Sequence, residues 1–439
     1  MKSLKMLLRF AIVGGLILLL LIPLMMIRGV ISEREAYRDQ AYLRVAQSRA
    51  GAQTLTGPIR VVPWTDTRQV EVVDATGVRK VETQVEQSYW LQMPSKLVVD
   101  GGMVPDERRI GLFRVPVYTW KAKVSAVFSD DDYPIKAGRV YGTPYLAVGI
   151  ADVRGLVGSP DLKVDGEALT LQPGIGDVSG IGKGLHVPLQ GFTDTAGGLL
   201  KASKVDLSLV LDGTRSLAVV PVGDDSRIAI RSPWPHPLFG GSFLPNERRV
   251  DEKGFDAQWA VSSLASEAQR QLRSAREVEP ETVSVELVNP VDIYTQADRA
   301  SKYGILFIVL TFVGFILFEL IKQLRIHPLQ YLMVGLALAI FFLLLLSLSE
   351  HIPFWVAYVV SAVACIGLQA VYLSGVLGSW LRGLGFAGML TVLYGALYGL
   401  LVSENNALLM GSLLLFGVLA TAMWITRRID WYELGASLK

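Results

Sequence analysis

Six apolar runs divide the chain: Leu7–Ile27, Gly304–Ile321, Leu329–Ser347, Phe354–Val376, Leu384–Val402 and Ala407–Thr426. Each is close to the 20 or so residues that a helix needs to cross a hydrocarbon core of roughly 30 Å. Each therefore predicts a membrane span. Between the first and second runs lies a stretch of ordinary polarity, residues 32–302, with a different pattern. It consists of short runs of β-branched and aromatic residues: Ile59–Val62, Gln69–Val73, Ser88–Met93, Lys96–Val99, Lys121–Phe128, Val205–Leu211, Leu217–Val220 and Arg227–Ile230. Lys121 to Val127 alternates polar with apolar, the pattern of a strand with one solvated face. Helical patterns are few here. Ser32–Gln47 reads as a helix continuing out of the first apolar run, and Leu264–Arg276 as a polar second one.

The predicted fold class is an α-helical transmembrane bundle of six spans with a large inserted β-rich domain. The domain boundaries follow: 1–31, 32–302, 303–427 and a tail at 428–439. Within the β-rich part, Val104–Ile110 resembles Leu244–Val250, Ser95–Val99 parallels Ser226–Ile230, and Val61–Pro63 parallels Val219–Pro221. These matches keep their order, which predicts two related β lobes at about 50–150 and 151–290 unless the likeness is chance.

Charge decides orientation. Lys2, Lys5 and Arg9 precede the first run, and the 322–328 loop, the 378–383 loop and the tail also carry Lys or Arg. The loops 349–353 and 403–406 carry neither. Cytoplasmic loops retain basic residues, so both termini are expected in the cytoplasm and 32–302 on the exported side, with Arg28 the one dissenting charge. The first run lacks a small-x-small cleavage site at its exit, so it reads as an uncleaved anchor.

Composition narrows the chemistry. Residues 32–302 hold 32 Lys and Arg against 35 Asp and Glu, a net charge of −3. No basic patch recommends a nucleic acid. The chain has one cysteine, Cys365, inside an apolar run, so the β-rich part forms no internal disulfide. The 4 histidines are dispersed, without metal-ligand spacing. No cofactor is expected. The glycines at 174–184 invite a phosphate-loop reading, but a strand pattern follows where the loop needs a helix N-terminus. No nucleotide is expected. Neither a Gly-x-Ser-x-Gly elbow nor a His-Glu-x-x-His motif occurs, and the chain reads as not an enzyme.

One segment is unusual, Ser232–Pro245, with 4 prolines among 14 residues. Proline lacks the N–H and fixes φ, which argues against a central strand or helix. The segment reads as a stiff loop presenting Trp234, His236, Phe239 and Phe243 to an envelope partner. The alternative is a loop packed on its own domain. Among the apolar runs, Glu319, Glu350 and His351 are the polar candidates. A transporter or proton relay would use them together with Glu404-Asn405, Gln369 and Tyr372. All lack a mid-span proline nearby, the sign of a broken transport helix. Gly395-x-x-x-Gly399 allows close helix contact, within the bundle or between protomers of a homo-oligomer. Packing within the bundle is the reading taken.

A family resemblance adds to this. Leu55–Pro58, Asp152–Gly155, Trp234–Pro237 with Phe239-Gly240, Phe243–Pro245, and Trp259 through Leu264 carry it in the β-rich part. Phe318-Glu319, Ile326–Tyr331 and Leu343–His351 carry it among the apolar runs. Together they resemble the CreD family of inner membrane proteins. The resemblance implies a multi-pass protein of the bacterial inner membrane that supports cell envelope integrity and stress tolerance, often under a two-component sensor. It implies no reaction, cofactor or catalytic residue. The expected partners are the lipid bilayer and an unidentified periplasmic component. The second reading is a transporter-like or accessory protein acting through the C-terminal helices.

Overall fold

A computed structural model describes residues 2–427, apart from 74–78, 134, 137, 177, 179–180, 191–192, 195–197, 275–278, 289–292, 323–325, 377 and 403–406. The tail at 428–439 and the 403–406 loop with Glu404 thus lie outside the described residues. The chain forms two compact units, one from Met1–Arg38 with Val291–Lys439, the other Asp39–Pro290.

The first unit is helical. Helix α1 (Lys2–Ser48) is a single helix of 47 residues that runs on into the second unit. It joins the first apolar run to the polar Ser32–Gln47 segment, as expected, and carries Gly29 within the join. The remaining helices are α3 (Ile293–Lys302), α4 (Gly304–Lys322), α5 (Pro328–Ser349), α6 (Phe354–Val376), α7 (Trp380–Val402) and α8 (Ala407–Thr426), α2 belonging to the other unit at Ala268–Arg273. Helix α5 starts on a capping box, with His327 accepting from the Leu329 amide and Gln330 reaching back to His327 N.

Among the described residues, Ala11–Ser48, α5, α6 and α7 are long and apolar enough to cross a membrane. The pair α3 and α4, bent by 43°, makes a fifth if it counts as one span. Leu409–Thr421 is a shorter apolar helix. The expectation of six spans is met for four of them, or five with the bent pair.

The helix packing corrects a second expectation. A Cβ added at Gly395 or Gly399 would meet nothing within 4 Å, so the GxxxG pair on α7 is not the close contact. The close approaches are elsewhere. A Cβ at Gly335 would strike Leu20, one at Gly314 would strike Met389, and one at Gly383 would come within 3.0 Å of Ser374. Small residues are needed where a neighbouring side chain or backbone crosses, and this is not legible from spacing alone.

The second unit is built on two large sheets. Its main strands are β1 (Gln53–Val73), β2 (Arg79–Gln92), β3 (Lys96–Ile110), β4 (Phe113–Phe128), β5 (Tyr145–Ile150), β6 (Asp161–Val164), β7 (Gly184–Pro188), β8 (Ser203–Thr214), β9 (Ser216–Val219), β10 (Asp225–Ser232), β11 (Pro237–Gly241), β12 (Glu247–Asp251), β13 (Gly254–Ser262) and β14 (Val283–Leu287). One sheet runs β7-β5-β1-β9-β14-β11, with β2 paired to β1; the other runs β12-β13-β10-β3-β4-β8-β6. Burial alternates along β3, β4, β8 and β10, so each buries one face. Leu55, Ile59 and Val61 of the first sheet share a core with Val99, Trp120 and Val124 of the second. Each such aliphatic contributes about 1.5–3 kcal/mol on burial.

Six of the eight short strand predictions fall inside these longer strands, and Ser88–Met93 and Leu217–Val220 each overrun theirs by one residue. The lobes at 50–150 and 151–290 do not appear as separate bodies, because each sheet draws central strands from both ranges. Of the matched segments, Ser95–Val99 and Ser226–Ile230 lie side by side. Strand β10 runs parallel to β3, pairing Asp225 with Lys96 and Ile228 with Val99, and β9 runs parallel to β1, pairing Val219 with Leu55. Two four-strand sets, β1-β3-β4-β5 and β9-β10-β13-β14, use one pairing plan. The outer strands of each set pair antiparallel in the first sheet and the inner two in the second.

Candidate functional site

The segment 232–245 is more ordered than a presenting loop. Residues 237–241 are a strand at the edge of the first sheet, paired with β14 from Pro237↔Leu287 to Gly241↔Val283. An edge strand tolerates proline because one row of its backbone groups needs no partner. Trp234 is half-buried against the main core, and its Nε1 is shared between the carbonyls of His236 (3.2 Å) and Val288 (3.1 Å). The Phe239 ring meets the edges of Phe255 at 5.7 Å and Trp259 at 5.9 Å. Phe243 packs on the same core, and its carbonyl accepts from Trp259 Nε1 at 3.1 Å. Of the four predicted contact residues only His236 is exposed, with Leu238 and Leu244 as the exposed apolar neighbours. Three of the aromatics thus serve their own domain.

A denser polar arrangement lies at the end of α1, and the sequence reading assigned it no role. The turn Val153–Gly155 is capped by Asp152, whose carboxylate accepts from Arg154 N. Arg154 then reaches α1. Its Nη1 donates to Gln47 O at 2.7 Å and its Nη2 to Ala46 O at 3.3 Å. These carbonyls are among the last four of the helix, which have no partner within it. The Asp152 carboxylate also takes the Gly51 amide at 3.0 Å. Gln53 Nε2 bridges the carbonyls of Asp152 and Asp212, both at 2.9 Å. Arg49 Nε donates to Asp212 at 2.9 Å, and Thr119 Oγ1 donates to the other oxygen of that carboxylate at 2.5 Å. A Cβ at Gly155 would strike Asp212 O and Gln53 Nε2, so only glycine fits.

The electrostatics agree. The hydrogen bonds of Arg154, with the amide of Gly51, hold the Asp152 carboxyl down at about 2, while partial burial works against them. For Asp212, burial disfavours the charge, but Arg49 and Thr119 outweigh it and keep the carboxyl below its usual range. The arrangement binds chain to chain: every acceptor named is used by a group of the same unit.

Arg60 is a second buried cation, fully covered in the core. Its Nη1 donates to Gln92 Oε1 at 3.0 Å and Lys201 O at 2.8 Å, its Nη2 to Ser203 Oγ, and its guanidinium lies 4.8 Å from the Phe128 ring centroid. Burial pulls its pKa down to about 10, against the raising charges of Asp165 and Asp130.

In the helical unit the polar candidates are apart and occupied. Glu319 accepts from Tyr331 Oη at 2.7 Å. Glu350, with a side chain 6% exposed, takes Tyr294 Oη at 3.2 Å and lies 3.5 Å from Arg34 Nε. His351 is exposed, its Nδ1 3.1 Å from Ser347 O. Tyr331 and Glu350 stand at opposite ends of α5, about 28 Å apart along the helix axis. Glu319 and Glu350 therefore cannot hold one small ligand. The glycine-rich 174–184 stretch leads into β7, a strand, and places Ile175 and Ile181 in the core.

The family description Inner membrane protein CreD matches residues 5–432. Inner membrane protein CreD of Escherichia coli (strain K12) is 39% identical over 424 residues, spanning 95% of this chain and 92% of that protein. Among solved structures, the M1 zinc metallopeptidase of Deinococcus radiodurans aligns at 6% identity over 48% of this chain and 53% of its own, with a TM-score of 0.20. That likeness is too low to carry an argument. On the match along nearly its whole length, with apolar helices and a large β-rich unit between them, this chain belongs to the CreD family of inner membrane proteins.

Proposed function

We propose that this protein supports cell envelope integrity under stress through its β-rich unit, as a non-enzymatic, six-span protein of the bacterial inner membrane. In this reading both termini are cytoplasmic and residues 32–302 are periplasmic, on the strength of the basic loops at 322–328 and 378–383 and the absence of Lys and Arg from 349–353. The two four-strand sets are related halves of one duplicated domain, their strands interleaved across both sheets.

One observation carries the reading. The most elaborate polar network of the β-rich unit, from Asp152 and Arg154 to Arg49 and Asp212, is spent on fastening the end of α1. The same helix is the chain's first apolar run. A domain so fastened suits a protein that holds an envelope component in place at the membrane. The contact surface is then the exposed part of the 232–245 segment, His236, Leu238 and Leu244, rather than its inward aromatics.

The test is complementation of a strain lacking the protein, at matched protein levels. The triple variant His236→Ser, Leu238→Ser, Leu244→Ser is expected to lose tolerance of envelope stress. The pair Glu319→Gln, Glu350→Gln is expected to keep it. The opposite outcome moves the function to the helices and favours the transporter-like reading.

A further inference from the structure

Helix α6 carries Ser361, Cys365 and Gln369 at successive four-residue steps, so they form one row along its buried face. Ser361 and Gln369 each lie seven residues in from an end of α6, which places the row at the middle of a helix long enough to span a bilayer. All three are buried, Ser361 fully and Gln369 to 2% exposure. Yet Ser361 Oγ and both amide atoms of Gln369 have no hydrogen-bond partner, and Tyr394 Oη of α7 lies against Cys365. The few contacts are thin: Cys365 Sγ lies 3.7 Å from Ala337 O of α5.

Unpaired amide and hydroxyl groups are most costly where no bulk water reaches them. The neighbouring polar groups, Cys365 and Tyr394, are uncharged, so the row does not call for an ion. It calls for a small neutral molecule that both donates and accepts. A water held by two to four polar partners has this chemistry. We propose that α5, α6 and α7 enclose a water-binding seam at mid-membrane depth, with Gln369 and Ser361 as its ligands and Cys365 and Tyr394 on its wall. The seam is independent of the role proposed for the β-rich unit.

The chain supplies its own probe, because Cys365 is its only cysteine. Its S–H stretching band can be followed by infrared spectroscopy on the full-length protein in lipid vesicles after transfer to D₂O. A hydrated seam converts S–H to S–D while the backbone amides of the helices stay protected. The double variant Ser361→Ala, Gln369→Met keeps volume and removes the ligands; in it the conversion should be lost. Gln369→Met alone, a milder change, should slow it. A wild-type band that stays unconverted overturns the proposal. So does conversion that is equally fast in all variants, since general breathing of the bundle would then explain it.

Discussion

Arg154 holds the carbonyl of Gln47 at 2.7 Å, a contact between residues 107 apart in sequence. It joins the turn after β5 to the last turn of α1 and gives that helix the cap its own sequence lacks. A cation is also favoured at this end by the helix dipole.

Replacing Arg154 with Ala should lower the stability of the β-rich unit only slightly, the loss of one exposed, charge-assisted cap. Gly155→Ala should cost more, about 3 kcal/mol or above, because its Cβ overlaps Asp212 O and Gln53 Nε2 in a packed site. Urea unfolding of the detergent-solubilised protein, followed by tryptophan fluorescence, would rank the two. Equal midpoints would mean the turn is looser than its contacts imply.

The Asp152 carboxyl is held at about 2, against an ordinary value of 3.8. A depressed carboxyl contributes stability that is complete above its unfolded value and disappears as pH falls through the folded one. The wild-type Tm should therefore exceed that of Asp152→Asn at neutral pH. The gap should narrow between about pH 4 and pH 2. A gap independent of pH would locate the stabilisation in the Asp152 hydrogen bonds and not in its charge.

Phe239 and His236 separate core from surface in the 232–245 segment. Phe239→Ala should destabilise by about 3 kcal/mol through lost contacts with Phe255 and Trp259. His236→Ala and Leu244→Ala should change stability by less than about 0.5 kcal/mol. Denaturation midpoints of the three variants give the comparison.

Arg60→Ala should be among the most damaging single changes, at about 3 kcal/mol or more, since it opens a cavity and strips Gln92 Oε1 and Ser203 Oγ of their donor. Arg60→Lys should recover only part, because an ammonium cannot reproduce the guanidinium fork over Phe128. The same unfolding assay reads both.

Much of this architecture was legible in the sequence. The alternation of Lys121–Val127 placed β4, and the apolar runs placed α5, α6 and α7, because burial on one face or all round writes itself into residue type. Partners did not. Strand β1 runs for 21 residues through both Ile59–Val62 and Gln69–Val73, which read as two separate runs, because pairing with β2 carries the strand across the polar residues between them. The prolines around Trp234 were read as excluding a central strand and leaving a stiff loop, yet an edge strand accommodates Pro237. Glu350 read as a polar candidate grouped with Glu319 and His351, while its neighbours in the fold are Arg34, over 300 residues earlier, and Tyr294. The Asp152–Gly155 turn was visible as a motif, but the carbonyls it serves belong to α1.

The parallel pairs at the centre of both sheets have a consequence for synthesis. Leu55 must wait for Val219, and Lys96 for Asp225. The β1–β2 and β3–β4 hairpins can close as soon as they are made, but each then keeps an open edge until about a hundred or more further residues have been added. Such edges invite pairing with the wrong chain. The early hairpins therefore need shielding on the ribosome or by a chaperone, and a chain truncated before β9 would leave them as permanent sites of aggregation.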